Sequence, residues 1–267
     1  MNLKPPPYIS NSQLNAFKRS PAHWLHYITE KRAQTPAMLL GSVCHLLALQ
    51  PESFEKKYFI IDPNKRPKPD MNFNGKENKE WWAKMEEEAA AKSLTVVDKD
   101  ILDTAKNCVE SLRNDPVASK YLEGEKEAVI EWDSVGLHFK GIRDISAPEY
   151  IVDLKFTNNA DPFAFQRYMR NEGLYRQGGM YLDGEMGGNF TGDPHKRVFF
   201  IAIETAPPYG VSVHELDYEV IIDGVNEYRR LGEQLKDCIS AGHFPSYSFR
   251  SINETFDFMR PNFLPTE

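Results

Sequence analysis

Cysteine is scarce: Cys44, Cys108 and Cys238 are the three in 267 residues, and no two are neighbours in sequence. So few exclude a disulfide framework and a four-cysteine zinc or iron–sulfur site, and they read as reduced core thiols. Long hydrophobic runs are missing as well. The longest mostly apolar stretch, residues 37–49, is interrupted by Ser42 and His45 and falls short of the ~18–20 residues that a bilayer span needs. The first seven residues hold three prolines and one lysine without an apolar segment, so no secretory signal is expected and the protein is expected in the cytoplasm, with no membrane partner. Glycine and proline follow no period and no block of five like charges occurs, which excludes collagen-like, disordered and coiled-coil classes.

With 41% hydrophobic and 27% charged residues, what remains is an ordinary globular composition, expected as a single domain over residues 1–267. A net charge of −7 argues against a general nucleic-acid-coating protein, because phosphate binding is mainly electrostatic. The first 36 residues nevertheless carry Lys4, Lys18, Arg19, Lys31 and Arg32 against Glu30 alone.

The hydrophobic pattern divides the chain into a mainly helical region, 1–125, a core, 126–242, and a tail, 243–267, expected to wrap the surface. In the first, residues 10–17, 37–49, 80–91 and 99–113 read as helices, and 62–80, rich in Pro, Asn, Gly and Lys, as a long loop. From Pro63 to Glu80 that loop holds five cations against three acids, with Trp81 and Trp82 adjoining. In the core, 127–132 and 136–145 predict a hairpin and 150–156 a third strand. A helical stretch over 162–183, broken near Gly173, precedes strands at 197–204 and 211–216 and a helix at 218–239. Strands interleaved with helices predict an α/β (α+β) fold with a mixed central sheet flanked by helices.

Chemistry concentrates in residues 140–157, KGIRDISAPEYIVDLKFT. Residues two apart in a strand share a face, so Asp153 and Lys155 project together from an otherwise apolar strand. Asp144, at the end of the preceding strand, lies beside them if the two strands pair. Two carboxylates and an ammonium suit phosphodiester hydrolysis, in which carboxylates hold Mg²⁺ and a lysine orients or deprotonates the attacking water. Similar acid–x–Lys patterns at Glu55/Lys57 and Glu77/Lys79 lie in polar text and read as solvated charge. Tyr168 and Tyr175 read as core. No P-loop, dinucleotide glycine pattern, His-Glu-x-x-His or Gly-x-Ser-x-Gly is present.

Asp144, Asp153-x-Lys155 and the following Gln177-x-x-x-Tyr181 together resemble the PD-(D/E)xK nuclease superfamily, which implies a restriction-endonuclease-like core. Within it the sequence is most similar to the RecE (exonuclease VIII) nuclease domain and its phage relatives. Further pieces in order are IS-x-SQL at residues 9–14, SPAHW at 20–24, GSVCHLLALQPESF at 41–54, EAVIEW at 127–132 and LYRQGGMYLDG at 174–184. The resemblance implies that Asp144, Asp153 and His45 hold metal, with the Leu154 carbonyl a further ligand and Glu127 reaching a second ion through water. Lys155 matches the catalytic lysine, and Gln177 and Tyr181 match a pair that positions DNA and water. Arg143 stands where the superfamily name has Pro. Ser12, Lys18, Arg19, Ser20 and Arg143 are the candidate DNA contacts.

The implied activity is Mg²⁺-dependent, with Mn²⁺ also supporting it: processive 5'-to-3' digestion of double-stranded DNA ends, leaving 3' single strands for recombination. The implied setting is a phage or prophage in a bacterial host. The implied assembly is a ring of three or four subunits working with a RecT-like single-strand annealing protein. Two other readings stand beside it, an endonuclease and a catalytically silent DNA-binding scaffold. A nuclease of the CRISPR-adaptation type would need four cluster cysteines.

Overall fold

The computed structural model describes residues 6–30, 33–68, 75–192 and 194–247. A five-stranded sheet forms its centre, built from β3 (Glu125–Ser134), β4 (Leu137–Ser146), β5 (Tyr150–Thr157), β6 (Arg197–Glu204) and β7 (Val211–Glu215) in that spatial order. Successive pairs are antiparallel except β5 and β6, which run parallel. A parallel pair cannot be closed by a tight turn, and the crossover here is α7 (Pro162–Asn171) and α8 (Leu174–Glu185). Asp161 caps α7 through Ala164 N, and the break between the two helices falls at Gly173, whose φ of 62° suits a residue without Cβ.

Helices cover both faces. On one side α1 (Asn11–Arg19), α2 (Pro21–Thr29), α7, α8 and α9 (Tyr218–Ala241) enclose a core around Trp24, Phe139, Phe165, Phe200 and Tyr228. On the other, α3 (Pro36–Leu49), α4 (Phe54–Lys57) and α6 (Lys99–Asn114) pack Val43, Cys44, Cys108 and Leu112 against Val152, Leu154 and Ile201. Strand β5 is buried on both faces, so its text is nearly continuously apolar. Helix α8 lies close to α9 because Gly179 faces the Gly224–Val225 backbone, where a Cβ would stand 2.7 Å from Val225 N.

The sheet and its helices agree with the expected fold class, and helices and strands fall within a few residues of their expected bounds. Three corrections concern the first half. Residues 21–29 form α2, started by Ser20 as N-cap and Pro21 at its first position. The long loop is shorter than expected: α5 (Lys76–Ala91) begins at residue 76, not 80. Short strands β1 (Tyr58–Ile61) and β2 (Thr95–Asp98) pair in parallel as a separate two-stranded sheet. The start of the tail does lie on the molecule, with Phe244 stacked on Trp24 and Pro245 O accepting from Ala22 N. The expectation for 248–267 lies outside the described residues. Cys44, Cys108 and Cys238 are all free thiols. Among the described residues no helix is long and apolar enough to cross a membrane.

Candidate metal and active site

Strands β4 and β5 pair only at Ile145–Val152 and Ser146–Ile151 and then part. Where the ladder stops, the Asp144 carboxylate takes over: its Oδ2 accepts the Leu154 backbone N–H at 2.6 Å. The β3–β4 register steps over Glu127 and Asp144, while the pairs on both sides of them are kept. Strict alternation would place residues 139 and 145 on one face, yet Phe139 packs with the α8–α9 core and Ile145 with the α3–α6 core. The strand changes face between them, and opposite that change Glu127 has a left-handed φ of 53°. A non-glycine residue there is strained by roughly 1 to 2 kcal/mol, and such strain is stored most often at functional sites.

The distortion turns Glu127 and Asp144 toward α3. His45, Glu127 and Asp144 each offer a ligand atom, and these atoms lie within 4.8 Å of one another. His45 Nδ1 is 3.5 Å from Asp144 Oδ2, and its ring meets Phe156 edge-on at 5.1 Å. Helix α3 is started by Thr35, whose hydroxyl accepts Met38 N at 3.2 Å, and is apolar enough to bury residues on each side of His45. Burial pushes the imidazole down to about 4, opposed by Asp153 and reinforced by Lys155, so His45 is neutral at pH 7 and free to act as a ligand. Burial also raises the Asp144 carboxyl, with Asp153 adding to the rise, and raises that of Glu127, where Lys57 opposes it. Two carboxylates held above their ordinary range beside a neutral imidazole make a donor set that suits a divalent cation.

Asp153 and Lys155 stand next to this cluster. Asp153 Oδ2 accepts Gln177 Nε2 at 3.0 Å and lies 2.9 Å from the Tyr181 hydroxyl. That hydroxyl accepts from Gln177 Nε2 at 2.6 Å and has the Ile142 carbonyl at 2.7 Å, so its one proton serves either Ile142 or Asp153. Asp153 Oδ1 is buried, receives no hydrogen bond of good geometry, and forms an ion pair with Lys155 Nζ. Burial pulls the Lys155 ammonium down, but Asp153 and Asp144 raise it further, leaving a net upward shift and a charged lysine.

The expected residues thus separate into two groups. His45, Asp144 and Glu127 converge as the ligand cluster, with the Leu154 backbone tied to Asp144, while Asp153, Lys155, Gln177 and Tyr181 form a hydrogen-bonded set beside it. Ser12 lines a cavity of about 310 Å³ shared with Ser10, Asn11, Lys140, Gln177 and Tyr181. This end of α1 is held there because Ile9 pairs with β4 next to Phe139. Lys18 bonds Glu227 at 2.8 Å and Arg19 is exposed. Ser20 is fully buried and spent on capping α2, and Arg143 is 8% exposed, its guanidinium paired with Glu185. Neither presents its side chain to a ligand in this fold. Lys57 is exposed, as expected, and its charge lowers the Glu127 carboxyl; Tyr168, expected in the core, is 42% exposed.

A mixed sheet carrying acid, acid-x-Lys and a helical Gln-x-x-x-Tyr defines a protein of the PD-(D/E)xK class. The chain belongs to the family described as "PDDEXK-like domain of unknown function (DUF3799)", whose sequence model matches residues 10–252. A solved structure similar to it is a "Putative exonuclease" from Eubacterium rectale, with a TM-score of 0.61 and 14% identity over 98% of this chain and 90% of that one. That likeness shows the fold. A second, SSO0001, aligns at 15% identity over 88% of this chain and 78% of that one, with a TM-score of 0.35 too low to bear on the fold. No curated protein matches this sequence.

Proposed function

We propose that the protein is a divalent-metal-dependent deoxyribonuclease, and specifically a double-strand exonuclease that digests from the 5' end. The observation that carries the hydrolytic reading is the His45–Glu127–Asp144 cluster placed beside the charged Lys155 on parted strands. The name of the Eubacterium rectale neighbour supports exonucleolytic action; the 5' polarity follows from the resemblance to RecE. By the same resemblance, we propose a ring of three or four subunits and transfer of the exposed strand to a RecT-like annealing protein.

His45, Glu127 and Asp144 would hold Mg²⁺ or Mn²⁺, and the chemistry such an ion supplies when bound is polarisation of a phosphate oxygen and acidification of water. Lys155 keeps its proton, so it orients water and offsets charge on the scissile phosphate. Asp153 fixes that ammonium through Oδ1. Gln177 and Tyr181, one helical turn apart, hold Asp153 Oδ2 and so set the Lys155 position from α8.

The test follows a linear duplex labelled at the 5' or the 3' end of one strand, with Mg²⁺, Mn²⁺ or EDTA, comparing wild type with Lys155→Ala. Metal-dependent mononucleotide release from the 5' end is expected, reduced at least ~100-fold in the variant with DNA binding kept. Cleavage by Lys155→Ala at the wild-type rate would remove Lys155 from the mechanism. Cutting of a covalently closed plasmid would replace the exonuclease with an endonuclease, and inactivity with both metals would leave a DNA-binding scaffold.

A further inference from the structure

Helix α7 follows the catalytic strand directly, and its outer face is unlike the rest of this acidic protein. Phe163, at 73% exposure, is the most exposed large hydrophobic side chain among the described residues. Gln166, Arg167 and Arg170 are exposed too. At 100° per residue these four lie within an arc of about 100° on the helix, opposite the buried Phe165 and Met169. Neither Arg167 nor Arg170 forms an ion pair with a described residue, whereas Arg143, Arg176, Arg197, Arg229 and Arg230 each do. Tyr168 lies on the inner side of α7 with Phe165, their rings 5.6 Å apart, and α7 as a whole comes next after the strand that carries Asp153 and Lys155.

Burying Phe163 would be the normal outcome for an aromatic side chain in this fold, and an acidic chain offers many carboxylates to which the two arginines could have been paired. The face carries instead two cations without an ion pair among the described residues and an exposed aromatic ring, on the helix that follows the Lys155 strand. Phosphates spaced along a strand match the first, and an unstacked base matches the second. A paired duplex hides its base faces, which leaves single-stranded DNA as the complementary ligand.

We propose that the outer face of α7 binds an unpaired stretch of the DNA substrate, Arg167 and Arg170 contacting phosphates and Phe163 stacking on a base. The proposal rests on the nuclease reading for its substrate but concerns binding, which is measured separately. It gives an acidic chain a local means of holding a strand end, and makes α7 a positioning element outside the metal cluster.

The experiment measures the affinity of a labelled single-stranded oligonucleotide and of a blunt duplex by fluorescence anisotropy in EDTA, over a range of salt concentrations. Phe163→Leu keeps apolar volume but loses the ring face, and is expected to weaken single-strand binding ~5- to 100-fold with duplex binding unchanged, while Phe163→Trp restores it. Arg167→Ala with Arg170→Ala is expected to lower the slope of log affinity against log salt by about 1.4. Unchanged single-strand affinity in Phe163→Leu and the double alanine variant would overturn the proposal. So would a change confined to self-association, seen by size-exclusion chromatography, which would make the face a protein contact. Cleavage assays on the same proteins separate the two readings: reduced single-strand binding without any wild-type cleavage supports the α7 site and rejects the nuclease. Normal cleavage and binding in all variants does the reverse.

Discussion

Glu127 concentrates a backbone cost and a chemical role at one position. Its φ of 53° is accessible to glycine without strain, and the relief of roughly 1 to 2 kcal/mol offsets the 0.5 to 1 kcal/mol that glycine otherwise costs in a strand. Glu127→Gly is therefore expected to unfold in urea within about 1 kcal/mol of wild type, where the same change at an ordinary strand position destabilises. Mn²⁺ binding, followed by calorimetry, should fall at least tenfold in the same variant, because one of three carboxylate or imidazole ligands is gone. Undiminished Mn²⁺ affinity would leave Glu127 as a strained residue without a ligand role. The carboxylate itself was legible as a candidate in the sequence, since EAVIEW begins with it. Its selection over Glu125 and Glu131 was not, because that depends on one left-handed residue and a change of strand face, neither of which leaves a mark on the hydrophobic pattern. The same holds for Asp153: spacing put it beside Lys155, but only the fold ties one oxygen to Gln177 and Tyr181 and leaves the other on the lysine.

At the scale of elements, the strands of the core and the helices around them were readable because alternation, apolar runs and turn residues all agree there. The misses have local causes. Helix α2 carries a Ser cap and an N1 proline, signals that are plain once its nine residues are treated as an element. Strands β1 and β2 are four residues each and pair in parallel across α5, so neither is long enough to show a period. What fastens α1 to the nuclease core is a buried polar junction that periodicity does not reveal: Arg176 of α8, fully buried, is held by Glu227 of α9 and by Asn11 and Asn15 of α1. Glu227 also accepts from Lys18 and Tyr175. Burial pushes its carboxyl up, but Arg176 and the hydrogen bonds from Lys18 and Tyr175 pull it lower still, to a net position below the ordinary value of 4.5. A depressed carboxyl contributes stability that is fully present above its unfolded pKa and is lost as pH falls through the folded one. Glu227→Gln, which leaves the buried guanidinium without its counter-charge, is expected to cost about 3 kcal/mol in urea unfolding at pH 7. The gap from wild type should narrow below about pH 4. A gap that is the same at pH 3.5 as at pH 7 would show that the hydrogen-bond geometry, and not the charge, holds the junction.

For the whole molecule, the processive digestion that the resemblance to RecE implies would require a chain of net charge −7 to stay on a polyanion for many turnovers. Unscreened, the surplus acids repel DNA, and two exposed arginines on α7 cannot supply the phosphate neutralisation that a tightly held duplex needs. Closure around the duplex would solve this without a basic surface overall, since a ring is retained by topology while its inner wall alone needs to be cationic. The proposed ring therefore makes a linked pair of expectations. Light scattering in solution should give three or four times the 30.7 kDa chain mass, and digestion of a labelled linear duplex, once begun, should continue after excess unlabelled duplex is added. A monomer that keeps digesting through the trap would locate processivity within one subunit, with α7 as the first surface to test. A ring that is displaced by the trap would separate assembly from processivity. A monomer stopped by the trap would make the enzyme distributive, and the acidic surface would then favour release after each nucleotide.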